Sequence, residues 1–281
     1  MEKIPTSDGI REILLHSWTE FFDLTVEEFF NAPAYVYRGQ AHYDWPLNST
    51  LDRLTQRYPK RKNLTGGNPE YFDRPPLLNR QQLAAFKRAL RGRRGPNPPP
   101  LTEDALWALG QHHGLATPLL DFTRSPFVAL FFAFEAEAIL ISDKSASPEF
   151  RGVYALSTSS IESPQTKPEE PLQIISPEED SNYRLISQGA LFAKLPPRTH
   201  IEEYVRSHFT GVTSGATLTK IKIPNRDRDG CLIALNKMNI NQMTLFPDIE
   251  GAAKHVNSLW QPGHEDSLPF IQQRSAGPRA R

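Results

Sequence analysis

A polar segment runs directly into an apolar helix at residues 117–133, TPLLDFTRSPFVALFFA. Ser125 followed by Pro126 marks the helix start, because a serine side chain caps the first turn and proline fits the first helical position. The apolar residues that follow predict a helix over Phe127 to Ala138 that lies deep in the core. The polar segment is predicted to be a turn that lies against this helix.

Strands and further helices are predicted around this segment. Ala34-Tyr35-Val36-Tyr37 favours a strand that delivers Arg38 and Gly39 at its C-terminal end. Later strands are predicted at 152–156, 172–175, 190–195 and 218–223. Helices are predicted at 81–91, from Thr102 to about 114, at 228–238 and at 249–260, with an exposed loop at 57–76.

The N-terminal residues have a helical spacing of apolar side chains. These side chains are Ile10, Leu14, Trp18, Phe21 and Phe22. They predict an amphipathic helix over 10–22, and Thr25 followed by Glu28 predicts a capped second helix that runs to Phe30. The whole pattern predicts a mixed α/β (α+β) fold with a split, mostly antiparallel sheet flanked by helices. It is predicted as one domain over residues 1–260, with a disordered tail at 261–281.

Composition limits the classes of function. The chain has 281 residues, 32 Lys plus Arg and 32 Asp plus Glu, so no global field attracts it to nucleic acid or membrane. Cys231 is the single cysteine, which excludes an intramolecular disulfide and favours a buried small hydrophobe. The longest apolar stretch, near 127–134, is too short to span a bilayer. A cytoplasmic protein without membrane contact is expected.

The first candidate site is Tyr37-Arg38-Gly39-Gln40. An arginine beside a glycine offers a planar fork of donors where backbone can approach a ligand closely, which suits a phosphate or a carboxylate. The alternative is that Arg38 pairs with a structural carboxylate such as Asp44 or Asp52, while the glycine merely turns the chain.

The second candidate is Gln111-His112-His113-Gly114, at the end of a predicted helix. The negative end of the helix dipole there favours protonated imidazoles. Because successive helical residues differ by about 100 degrees, at most one of the two histidines reaches a given site. No ligand array with metal-binding spacing accompanies them, so no metal is expected. Each histidine either caps carbonyl groups or binds substrate.

The third candidate lies in the opening segment. Asp121 can orient a histidine or an arginine, Thr123 can donate to a ligand, and Ser125 marks a helix N-terminus suited to an anion. Alternatively, Asp121 pairs with Arg38 or Arg124 and the serine only caps the helix. Elsewhere, the basic run at 87–94 can contact phosphates or form an ordinary solvated helix end.

These residues resemble the FRG domain family, named for a Phe/Tyr-Arg-Gly tripeptide. The resemblance rests on Tyr37-Arg38-Gly39, Gln111-His112-His113-Gly114, the segment 119–133, Arg184-Leu185-Ile186-Ser187-Gln188-Gly189-Ala190-Leu191-Phe192 and Thr244-Leu245-Phe246-Pro247-Asp248. It spans about residues 15–260. The family is largely bacterial and phage-borne, which implies a toxin or antiviral defence context.

The chain also resembles, more distantly, the ADP-ribosyltransferase fold, in which a strand-borne Arg or His contacts NAD. This resemblance implies NAD-dependent transfer or glycohydrolysis, with NAD as co-substrate. The implied catalytic residues are Arg38, His113, Asp121 and Gln188. The implied NAD-binding residues are Tyr37, Arg38, Gly39, Gln40, Gln111, His112, Thr123 and Ser125. Gln188 stands where that fold has a glutamate. The alternative function is a non-catalytic recognition module that senses a phage component or nucleic acid.

Overall fold

The computed structural model describes residues 1–31, 35–57, 75–135, 148–162, 168, 170–176, 183–209 and 215–259. Its strands are β1 (Glu2–Ser7), β2 (Ile10–Leu14), β3 (Tyr35–Gln40), β4 (Leu119–Thr123), β5 (Phe150–Ser157), β6 (Gln173–Ile175), β7 (Ala190–Lys194) and β8 (Leu218–Pro224). Its helices are α1 (Glu20–Glu28), α2 (Thr50–Arg57), α3 (Pro75–Ala89), α4 (Glu103–His112), α5 (Pro126–Glu135), α6 (Thr158–Glu162), α7 (Tyr183–Ser187), α8 (Ile201–His208), α9 (Arg228–Lys237), α10 (Gln242–Leu245) and α11 (Ile249–Ser258).

The eight strands form one sheet in the order β1-β2-β8-β5-β3-β4-β7-β6. Within the described residues, β2 and β8 are the one parallel pair, and the other neighbours are antiparallel. The predicted mixed α/β fold with a mostly antiparallel sheet is therefore confirmed.

Strands β3 and β4 share the shortest run of paired positions described in the sheet. These strands share one paired position, Tyr37 with Thr123, whereas β3 pairs with β5 at six positions and β4 pairs with β7 at five. We call this place the sheet junction. Because β3 and β4 are paired at this one position, their neighbouring side chains and backbone groups can make other contacts.

Apolar side chains fill both faces of the sheet, as the strand alternation requires. On one face, α5 supplies Ala129, Leu130 and Phe134 to a cluster that includes Val153 and Ala155 of β5. On the other face, Tyr154 and Leu156 of β5 pack with residues of α8. A third cluster joins α2, α3 and α4 to the part of the sheet formed by β4 and β7.

Helix α5 begins as predicted. The Ser125 hydroxyl accepts a hydrogen bond from the Val128 N–H at 3.3 Å. At the other end, Arg151 Nη1 donates to Ala133 O at 3.1 Å, and Arg228 Nε donates to Phe134 O at 2.7 Å. Two cations thus satisfy carbonyl groups at the negative end of a helix that has few polar neighbours. The last three residues of the predicted helix, 136–138, lie outside the described residues.

The predicted helix over 10–22 is wrong. Ile10–Leu14 is strand β2, and the helix begins at Glu20. The apolar spacing is compatible with a helix, but parallel pairing with β8 and antiparallel pairing with β1 satisfy the backbone of these residues instead. Thr25 does not cap a second helix: it lies inside α1, and its hydroxyl donates to Phe21 O at 2.7 Å.

Two predicted boundaries near the candidate site also change. Arg38 and Gly39 lie within β3 rather than at its C-terminal end. The segment predicted as a turn contains strand β4, in which Asp121 alone is exposed and Leu120 and Phe122 pack in the core. The loop predicted at 57–76 falls mostly, and the tail predicted at 261–281 entirely, outside the described residues.

Candidate functional site

A cavity of about 410 Å³ lies beside the sheet junction. Its lining residues are Tyr37, Arg38, Gly39, Ala108, Gln111, His112, Asp121, Phe122, Thr123, Phe132, Arg184, Leu185, Gln188, Ala190, Phe192 and Phe246. A volume of this size is typical of small-molecule sites, which combine an apolar lining with a few polar groups. We call the part formed by β3 and β4 the sheet wall, and the part formed by α7 and residues 245–250 the helix wall.

Arg38 connects β3 to β4 at the sheet junction. Its Nη1 donates to the main-chain O of Asp121 at 2.8 Å and lies 3.9 Å from that residue's carboxylate. The Arg38 side chain is 17% exposed, and its buried Nε has no hydrogen-bond partner among the described residues. Burial lowers the pKa of the Arg38 guanidinium, while the carboxylate of Asp121 acts in the opposite direction. Arg38 is therefore a buried cation whose donors are not fully used.

Gly39 is required by packing. A Cβ atom at this position would lie 1.8 Å from Ala129 O and 2.6 Å from Ala133 N of α5. Neither backbone atom can move without shifting the helix, so the glycine allows α5 to lie directly on β3. The close approach at Gly39 is thus made by a helix, where the sequence predicted a turn or a ligand.

Asp121 is held by a short polar chain. Its Oδ1 accepts from Gln111 Nε2 at 2.6 Å, and Gln111 Oε1 in turn accepts a hydrogen bond from the Thr117 hydroxyl. Thr117 is fully buried, whereas the Asp121 side chain is 67% exposed. The chain therefore fixes an exposed carboxylate next to the Arg38 guanidinium. Of the alternatives for Arg38, the contact with Asp121 is present, and Asp52 instead accepts from Ser49 and from the Arg198 N–H.

Arg184 dominates the helix wall. It forms ion pairs with Asp248 and, at 2.6 Å, with Glu250, and its guanidinium lies 5.3 Å from the centre of the Phe246 ring. These hydrogen bonds raise the pKa of Arg184 and lower the pKa of Asp248 to about 2. The Asp248 carboxylate also caps α11 by accepting from the Gly251 N–H at 3.0 Å. The charge of Arg184 is therefore balanced by two carboxylates of the protein.

Gln188 and Thr123 connect the two walls. The Thr123 hydroxyl donates to Gln188 O at 2.6 Å, so its proton is directed to the protein rather than to a ligand. Gln188 Nε2 donates to Leu245 O at 3.0 Å. That bond leaves the Gln188 side-chain oxygen as an acceptor at the cavity.

The two histidines separate as expected. His112 lines the cavity, and His113 is the exposed C-cap residue of α4, outside the lining. Their rings meet edge to face, with centroids 4.9 Å apart. Burial lowers the pKa of His112, with further contributions from Arg184 and His113. The lowered pKa of His112 is opposite in direction to the effect expected from the helix dipole.

The structure brings together eight of the predicted site residues and leaves three outside. The eight are Tyr37, Arg38, Gly39, Gln111, His112, Asp121, Thr123 and Gln188. Outside the lining, Gln40 donates to Trp45 O at 2.6 Å, His113 ends α4, and Ser125 caps α5. These three have structural contacts, and their predicted roles in binding or catalysis stay predictions.

The site predictions missed several lining residues. Phe132, Arg184 and Phe246 line the cavity. In the sequence they belong to segments that resemble the FRG domain family, and no local pattern marks them as site residues. A possible signal was the pairing of Arg184 with Asp248, but these positions are separated by many residues and no local spacing connects them.

Within the described residues, no group of three or more His, Cys, Asp or Glu could hold a metal ion.

The family model of the FRG domain matches residues 33–139. The chain carries an FRG domain. The match begins just before β3 and includes Arg38, Gln111 and Asp121, so the sheet wall belongs to the FRG domain. The helix wall, with Arg184 and its carboxylate partners, lies beyond the match.

No curated protein and no solved structure matches the chain. No helix in the described part of the chain has the length and apolar character needed to cross a membrane.

Proposed function

We propose that the FRG-domain cavity binds a nucleotide and that the protein is a nucleotide-handling enzyme, with NAD as the candidate co-substrate. The observation that carries the proposal is the convergence of Arg38, Gln111, His112, Asp121 and Gln188 on one cavity. These residues come from different elements, and their polar groups gather beside aromatic side chains. Such a combination suits a ligand that has both a phosphate and a ring.

Arg38 is the proposed phosphate ligand. Its guanidinium is largely buried, contacts one carboxylate at 3.9 Å, and has a buried Nε without a partner in the part of the chain that the structure describes. A phosphate oxygen could accept from this planar fork, which matches the geometry of an arginine–phosphate pair. Arg184 is less suited to this role because Asp248 and Glu250 already occupy its donors.

Asp121 is the proposed charge-stabilising group in NAD cleavage. When the bond between ribose and nicotinamide breaks, nicotinamide leaves with the bonding electron pair and the ribose carbon gains positive charge. Water or an acceptor hydroxyl then adds to that carbon and loses a proton. Asp121 is the one carboxylate among the described lining residues, and Gln111 fixes its position. A fixed anion aimed at developing positive charge lowers the barrier. The Gln188 side-chain oxygen is the second acceptor proposed to face the sugar.

A second candidate is a recognition module that binds a ligand without turnover. It is favoured by the extent to which the polar groups are already bound to the protein. Gln111 lies between Thr117 and Asp121, and Gln188 is bonded to Leu245. A site held by such contacts can bind a ligand in a fixed pose without needing a reactive group.

The test is a thermal-shift screen against NAD, ATP, GTP and cyclic nucleotides, followed by measurement of released nicotinamide. A ligand at about 100 times its dissociation constant adds about 2.7 kcal/mol, which raises the melting temperature by roughly 5 °C or more. We expect a shift with NAD and nicotinamide release. Asp121→Asn should retain the shift and lose at least about 90% of the release, equivalent to about 1.4 kcal/mol in the barrier.

Arg124→Gln is the matched control. Arg124 is an exposed arginine beside the junction, outside the cavity lining, and its side chain contacts Ser176 at 3.4 Å. This variant should retain both the shift and the release. A shift without release in the wild type would support the recognition module. No shift with any nucleotide would contradict the proposed nucleotide-handling enzyme and would favour a recognition module for a phage component or nucleic acid.

A further inference from the structure

We propose that α3 and the turn after it bind the phosphate backbone of double-stranded nucleic acid without reading its sequence. The surface consists of Arg80, Lys87, Arg88, Arg91, Arg93 and Arg94, and we call it the α3 basic surface. It is separate from the cavity, whose lining contains none of these residues. The inference therefore stands independently of the nucleotide proposal.

The charge of this surface is local and uncompensated in sequence. Residues 75–102 contain six Lys and Arg and no Asp or Glu, although the whole chain has 32 residues of each sign. A protein with zero net charge has no general attraction to polyanions. A single surface that concentrates one sign of charge can still attract them.

Most of these cations are exposed and have no carboxylate partner. Arg80, Arg88 and Arg91 form no ion pair with any residue in the described ranges, and all three are exposed. Lys87 pairs with Glu103 at 3.3 Å, where both side chains are exposed. The guanidinium groups are thus available to an external anion, and five of the six cations are arginines, which bind phosphate through a planar fork.

The turn after α3 positions the last two arginines. Arg93 Nε donates to Ala89 O at 3.0 Å, and Arg94 Nη2 donates to Pro99 O at 2.8 Å. Each bond uses one donor of a group that has five. The bonds therefore hold the side chains in place and leave donors for a ligand.

The spacing matches a nucleic-acid backbone. Leu90 N donates to Phe86 O at 2.9 Å, so the helical turn continues past Ala89 toward Arg91. At 1.5 Å per residue, the distance along the helix from Arg80 to Arg91 is about 16 Å. Measured along a duplex axis, that length corresponds to about five phosphates of each strand, at a rise of roughly 3.4 Å per phosphate.

The remaining side chains favour a duplex over a membrane or a single strand. From residue 78 onward, the large apolar side chains of α3 are buried or half-buried, and Leu83, 4% exposed, packs in the cluster that joins α3 to α4. This described part of α3 therefore presents no large exposed apolar side chain to a lipid bilayer. Phe86, the one aromatic residue between 78 and 102, has a ring carbon 3.3 Å from where a Cβ on Gly110 of α4 would lie. Without an exposed aromatic platform, stacking on unpaired bases is not expected.

The test is fluorescence anisotropy with a labelled DNA duplex, an RNA duplex, a DNA single strand of the same sequence and a duplex of scrambled sequence. We expect both duplex types to bind, with equal affinity for the scrambled sequence. Over about 50 to 200 mM salt, binding should weaken linearly in a log–log plot. Vesicles containing phosphatidylserine serve as the membrane arm and should not bind.

The variant Arg88→Gln/Arg91→Gln/Arg93→Gln should raise the dissociation constant at least about tenfold and reduce the salt slope by about 2.7. The control Arg206→Gln/Arg226→Gln/Lys237→Gln changes net charge equally at distant positions and should leave both values unchanged. Thermal melting checks that both variants fold. Equal loss in the control, tighter binding to the single strand or to vesicles, or no duplex binding at about 50 mM salt would overturn the proposal.

Discussion

The two walls of the cavity each carry an arginine, but the two arginines are held in opposite ways. On the sheet wall, Arg38 is largely buried and donates to a main-chain oxygen, with one carboxylate 3.9 Å away. On the helix wall, Arg184 has two close carboxylates and an aromatic ring. The Arg184 charge is thus neutralised within the protein, whereas the Arg38 charge is only partly matched.

The difference between the two arginines indicates that the two walls of the cavity have different roles. A buried cation without full compensation is costly, and such groups persist mainly at functional sites. The arrangement at Arg38 is what an anionic ligand would complete. Arg184 instead connects α7 to α11 and shapes the cavity by holding Phe246 beneath it. Under the proposed function, the sheet wall would bind the ligand and the helix wall would support it.

The largest expected effect comes from Gly39→Ala on the sheet wall. The added Cβ would meet Ala129 O at 1.8 Å, so α5 must move. We expect a loss of about 3 kcal/mol or more, at the upper end for overpacking, seen as a melting temperature lower by roughly 6 °C or more. Gly114→Ala is the control, since Gly114 has φ +84° and open space around it. Its backbone strain should cost about 1 to 2 kcal/mol, and an equal loss in both variants would contradict the packing role of Gly39.

An intermediate effect is expected from Gln111→Leu. The change removes the acceptor of the fully buried Thr117 hydroxyl and the donor to Asp121. An unsatisfied buried hydroxyl costs about 1 to 3 kcal/mol, and urea unfolding should show a loss in this range. In the double variant Gln111→Leu/Thr117→Val, the two losses should be less than additive. Strict additivity would show that the polar chain does not couple these residues.

The smallest effect is expected on the helix wall, in the acid range. The Arg184 guanidinium lowers the pKa of Asp248 to about 2, below the value of about 3.9 expected in the unfolded chain. The resulting stability is present above about pH 4 and is lost as the pH falls toward 2. Asp248 is 36% exposed, so we expect about 1 kcal/mol or less. Arg184→Gln should flatten this part of the acid-unfolding curve; an unchanged curve would show that the pair contributes nothing.

The sequence predicted the parts of the fold that depend on local patterns. Ser125-Pro126 started α5, Thr102 capped α4 by accepting from the Ala105 N–H, and Asp248 capped α11. It failed at Ile10–Leu14, where β2 pairs with β8 some 200 residues later. Pairing between strands that are far apart in sequence leaves no signal in a short window of residues. The helical spacing of apolar residues in this segment therefore predicts the wrong structure.

The candidate site shows the same limit. Gln111 and Asp121 are ten residues apart in sequence, and they are hydrogen-bonded at 2.6 Å. The helix wall depends on contacts between positions 184 and 248–250, which only the fold brings together. Gly39 was assigned to a turn or a ligand because the sequence does not show which helix crosses β3.

The most direct test of the central claim is calorimetric titration of NAD into the wild type and Arg38→Lys. Lysine keeps the charge at the sheet wall but lacks the planar fork that a phosphate would bind. We predict that the wild type binds NAD and that Arg38→Lys raises the dissociation constant at least about tenfold, equivalent to about 1.4 kcal/mol, with a melting temperature within a few degrees of the wild type. Equal affinities in the two proteins, or no binding by the wild type, would contradict the claim that Arg38 makes the sheet wall a nucleotide-binding surface.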